Sequence, residues 1–137
     1  VPQKVIGDLM LIFGSPIIRS EAFYGVNSKE EIAKTPPNST IYMEFSRSTL
    51  LLIDYAISSQ ITLALKAKSL LDVIYCANIG STYIIVEEDL AKKAQEVAQN
   101  YLFDAKIVVE ICSESQIEEF ALQGIDGVIF DDAIIRS

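Results

Sequence analysis

The chain has 137 residues, half of them hydrophobic, with a net charge of −8 and no histidine. That length fits one domain whose core can be buried without staples. The acidic balance argues against nucleic acid and anionic membrane surfaces, which both select for clustered Lys and Arg. The missing imidazole removes Ser-His-Asp and Cys-His catalysis and histidine metal sites.

The first 39 residues form a distinct segment. "VPQKVIGDLMLIF" (1–13) predicts a helix, because its single early Lys, internal acid and lack of a small-residue cleavage site do not fit a signal peptide. "PIIRSEAFY" (16–24) reads as a strand and "NSKEEIAKT" (27–35) as a short helix, with Ser28 and Glu31 at capping-box spacing. "TPPNS" (35–39) stops that helix and turns the chain. No long polar linker follows, so the segment reads as an integral N-terminal addition to a core at 40–137, within a single domain over 1–137.

From residue 40 onwards strand and helix alternate. Strands are predicted at 40–46, 61–67, 83–87, 106–111 and 127–131, and helices at 48–59, 69–79, 89–102 and 115–123. The strands are rich in Val, Ile and Tyr and apolar almost throughout, as in parallel sheets covered on both faces. Slid by 44 positions, residues 61–89 lie over 105–133: Gly80 meets Gly124, and Glu87-Glu88 meets Asp131-Asp132. The two glycines read as helix terminators, since glycine takes the left-handed C′ conformation cheaply. The fold class is therefore α/β: a mainly parallel sheet with helices packed on it and an N-terminal helix–strand extension. A flavodoxin-like or Rossmann-like open sheet is favoured, and a half (βα)-barrel is the alternative.

Ligands of parallel sheets bind beyond the carboxyl ends of the strands. At that edge the acids Glu44, Glu88, Asp131 and Asp132 are candidates for Mg²⁺, which takes oxygen ligands, although acids after a strand also serve as ordinary helix caps. Ser46, Arg47 and Ser48, before the helix at 48–59, form a candidate anion site, with Lys66 and Lys68 as further cations. A desolvated lysine here could in principle form a Schiff base, and Lys paired with Glu is the plainer reading. No P-loop, dinucleotide fingerprint or C-x-x-C is present. No cofactor is expected beyond the optional Mg²⁺, and the two cysteines read as reduced thiols in a cytoplasmic protein. No apolar run approaches the ~18–20 residues of a membrane span.

The helices at 48–59 and 69–79 are apolar almost all round, with Asp54 and Asp72 as their charges. Such helices need cover on both sides, from the N-terminal segment or from another chain. The expectation is a non-catalytic, homodimeric binding or regulatory module meeting its partner through Leu51, Tyr55, Ile74 and Tyr75. The rival is an enzyme using the strand-end acids with Mg²⁺ on a small anionic ligand.

Overall fold

A computed structural model describes residues 9–136. The chain runs β1 (Leu11–Phe13), β2 (Phe23–Gly25), α1 (Lys29–Ala33), β3 (Thr40–Glu44), α2 (Leu50–Ser58), β4 (Thr62–Lys66) and α3 (Leu70–Ile79). It continues with β5 (Tyr83–Val86), α4 (Glu88–Asn100), β6 (Lys106–Ile111), α5 (Ser115–Leu122), β7 (Gly127–Phe130) and β8 (Ile134–Arg136). The described strands form one eight-stranded sheet in the order β1-β7-β6-β5-β4-β3-β2-β8, and every pairing is parallel.

From β2 to β7 each strand lies beside its predecessor, so the order never reverses. Right-handed crossovers that all step the same way put every helix on one face. Accordingly Ile32, Ile53, Ala56, Val73, Cys76, Ala91, Ala94, Ala98 and Phe120, from all five helices, share one core with Ile41, Leu63, Ile84, Ile107 and Val128 of the strands. The opposite face curls on itself. Phe13, Phe23, Ala64, Ile85, Val108, Ile129 and Ile134 make a second cluster that contains no α-helical residue. Phe13, Phe23 and Tyr83, from three different strands, meet there with ring centroids 4.9–5.4 Å apart. The all-parallel α/β class holds, and the half-barrel alternative is the form it takes. A doubly wound sheet requires a reversal of strand order that β2–β7 lack.

The N-terminal segment corrects the sequence reading in two places. Leu11–Phe13 is a strand, where a helix over 1–13 was expected, and residues 1–8 lie outside the described residues. Its pairing with β7 depends on Gly127, where an added Cβ would lie 2.8 Å from that of Leu11. Gly14, at φ +84°, then ends the strand with Ala133 close by. Of the strand expected at 16–24 only the end is extended, as Phe23–Gly25; before it Ser15 and Ser20 accept backbone hydrogen bonds in a turn. The helix around 27–35 is present as α1, with Ser28 accepting from the Glu31 N–H. β8 pairs with β2 at the far edge and was not anticipated.

Gly80 caps α3 at φ +108°, and Gly124 follows α5 at φ +74°. Both therefore terminate helices. A buried polar link ties the layers together: the Asp126 carboxylate accepts from the Ile107 N–H, while the Asp126 N–H donates to Gln95 of α4.

Candidate functional site

The period-2 alternation of the strands decides what reaches the concave face. Ala64 and Val108 point into it, so two residues on Lys66 and Glu110 do the same at the carboxyl end of the sheet. Tyr42 packs on the inner cluster, which places Glu44 on the same side. The mouth of the curled sheet is thus lined by Tyr42, Glu44, Lys66 and Glu110, joined by Glu87 after β5 and Arg136 on β8.

Lys66 donates to Glu110 at 2.8 Å and lies 3.7 Å from Glu87. The side chains of Lys66 and Glu110 are 15% and 28% exposed, so this ion pair is well shielded. Burial by itself pulls the ammonium down. The hydrogen bond and charge of Glu110, with Tyr42 and Glu87 adding to them, together outweigh it and hold Lys66 above its ordinary 10.5. A lysine so protonated is a fixed cation and a poor Schiff-base nucleophile. Burial also raises the Tyr42 phenol, helped by the charge of Glu110 and opposed by that of Lys66, so Tyr42 stays a neutral hydroxyl.

Beside this pair a groove of about 320 Å³ opens between β2, β3 and β8, lined by Gly25, Asn27, Tyr42, Glu44 and Arg136. Arg136 and Glu44 bring opposite charges to it. Arg136 reaches Asp131 at 3.0 Å through Nη1, and Glu44 is met by Lys68 at 3.5 Å. Both contacts are exposed and worth little by themselves.

The remaining candidates fall elsewhere. Ser46–Thr49 is a capping device: the Thr49 hydroxyl donates to the Glu44 carbonyl at 2.8 Å and accepts from the Ser46 N–H at 3.0 Å. The Ser46 and Ser48 hydroxyls lie 2.9 Å apart, and Arg47 begins the 3₁₀ turn Arg47–Thr49. Of the proposed anion set, Lys66 points into the mouth, while Lys68 lies on its exposed rim. Glu88 accepts from Gln116, and Asp131 and Asp132 sit in a 3₁₀ turn after β7. Among the described residues no three His, Cys, Asp or Glu side chains gather to hold a metal ion. Glu110, Tyr42, Gly25 and Arg136 escaped the sequence-based selection. One signal was available, since Lys66 and Glu110 are separated by the same 44 positions as the repeat.

On the outer surface the α2–α3 face stands open. Leu51 is 85% exposed, Leu71 58% and Tyr75 52%, with Tyr55 and Ile74 partly exposed beside them. The described N-terminal residues leave these side chains exposed, because β1 and β2 are taken up in the sheet, β1 at one edge and β2 between β3 and the edge strand β8. Lys29 of α1 does reach the Tyr55 ring, at 4.7 Å from its centroid. A groove between α3 and α4, lined by Ile74, Ala77, Val97, Tyr101 and Phe103, extends the apolar surface. Among the described residues no helix is long and apolar enough to cross a membrane. The chain matches no family model and no curated protein sequence.

Proposed function

We propose that this chain is a non-catalytic binding or regulatory module that assembles as a homodimer through the α2–α3 face. The observation that carries the reading is the run of exposed apolar side chains Leu51, Tyr55, Leu71, Ile74 and Tyr75 on two adjacent helices. Single exposed leucines are ordinary, but five exposed apolar side chains on two neighbouring helices, two of them tyrosines, have the make-up of an interface centre. The face carries Asp54 and Asp72 and no basic residue of α2 or α3, so it offers a partner apolar area and little charge to read. A two-fold contact fits such a surface, because each copy presents the same apolar residues to the other.

The non-catalytic part rests on chemistry. Histidine is absent, and Lys66 is held as a cation by Glu110. Cys76 is buried, and burial, with the charge of Asp72, pushes its thiol up to about 12. The Mg²⁺-dependent rival needs Glu44, Glu88, Asp131 and Asp132 to face one point, whereas Glu44, Glu88 and Asp131 each meet a different side chain. The test is substitution of Leu51 or Ile74 by Asp, with helix content checked by circular dichroism. Loss of self-association in a folded variant supports the reading, and association equal to wild type refutes it.

A further inference from the structure

The groove at the mouth of the curled sheet shares no lining residue with the α2–α3 face of the proposed dimer contact. Its two charged walls differ in sign. Arg136 stands on β8 and Glu44 at the end of β3, with β2 between them; in register, Arg136 pairs with Gly25 and Gly25 with Tyr42. Neighbouring strands lie ~4.8 Å apart, so Arg136 and Tyr42 are rooted ~10 Å from each other, a span that one small molecule can bridge.

The gap exists because residue 25 has no side chain. A Cβ built there would stand 3.7 Å from Arg136 Cγ and 3.8 Å from Tyr42 Cδ2, projecting into the space between them. Those are ordinary contact distances, so the fold tolerates a methyl at this point; the glycine leaves room for something else. The Tyr42 hydroxyl, kept neutral by burial, has no hydrogen-bond partner among the described residues. Arg136 pairs with Asp131 through Nη1, and a guanidinium fork can take a second oxygen ligand.

Charge narrows the ligand class. Glu44, Glu87, Glu110 and Asp131 outnumber Lys66, Lys68 and Arg136 around the mouth, so a phosphate or polycarboxylate would meet net repulsion. A lone amine would engage the acidic wall of the groove only. We propose that this groove binds a small amino-carboxylate zwitterion, its carboxylate on Arg136, its ammonium on Glu44 and its polar atoms within reach of the Tyr42 hydroxyl. The volume of about 320 Å³ is at the small end of ligand pockets, which suits a molecule of amino-acid size.

The experiment is isothermal titration calorimetry of the full chain with free α-amino acids and the longer ω-amino acids, and with acetate and methylamine as one-ended controls. The proposal expects saturable binding of at least one amino-carboxylate and at least tenfold weaker binding of both controls. Arg136→Gln and Glu44→Gln, both exposed positions, should each weaken it tenfold or more. Gly25→Ala should reduce it while leaving the unfolding midpoint close to wild type. Silence across the whole panel overturns the proposal. So does acetate binding as tightly as the amino acids, or binding that survives Arg136→Gln intact. These outcomes are independent of self-association, which Leu51→Asp reads separately.

Discussion

Replacing Phe23 with alanine removes a fully buried ring from the centre of the concave face, where it touches Phe13 at 4.9 Å and Tyr83 at 5.2 Å between centroids. Phe→Ala in a packed core costs about 3–5 kcal/mol, of which the two aromatic contacts supply roughly 0.5–1.5 kcal/mol each. Domains of this size are stable by about 5–15 kcal/mol, so the variant gives up roughly a fifth or more of its margin. Its melting temperature should fall by on the order of 10–20 °C. Urea unfolding followed by circular dichroism measures the change directly, with an unchanged slope against denaturant if both states keep their compactness. Phe23→Leu, which keeps much of the volume but loses both ring contacts, should cost less, about 1–3 kcal/mol. The reasoning has a specific weak point. Phe23 is buried because the sheet curls and brings β2 over β5. A loss below about 1 kcal/mol for Phe23→Ala would mean that β2 does not pack across the concave face, and the curled sheet would be refuted.

Two further outcomes follow from titratable groups. Cys112 is exposed and Cys76 is buried with its thiol pushed up to about 12, so a disulfide reagent near neutral pH should label one thiol rapidly and the other only on unfolding; two fast thiols would contradict the packing of α3. Tyr83 is held up at about 12 by burial, with the charge and hydrogen bond of Glu21 adding to it. The unfolded phenol ionises near its ordinary 10.0, so this contribution is fully present below 10 and is lost as pH rises towards 12. Lys66, raised above 10.5, loses its contribution in the same direction. Urea midpoints should therefore fall above pH 10, and less steeply in Tyr83→Phe; identical slopes in the two proteins would remove Tyr83 from the explanation.

Much of this architecture was legible in residues 40–130. The βα alternation, the glycines at 80 and 124 and the apolar helices at 48–59 and 69–79 all correspond to observed elements. The edges were not legible. Leu11–Phe13 is apolar in a way that suits helix and strand equally, and its pairing with Gly127 is a contact between distant parts of the chain. Three residues at 134–136 carry no period at all; their partner β2 makes them a strand. The candidate site was half visible for the same reason. Strand ends mark the carboxyl edge, but which side chains face inward depends on register. Glu110 was not singled out, although its alternation with Val108 points it at Lys66. Gly25 and Arg136 could not be joined to Tyr42 without knowing that β8 lies beside β2.

The most direct test of the central claim is the solution mass of the protein, by sedimentation across the micromolar range, for wild type and Leu51→Asp. The proposed module predicts a wild-type mass twice that of one 15.1 kDa chain, falling to a single chain in the variant while its helical signal is retained. A wild-type protein that sediments as a single chain throughout would contradict the homodimer.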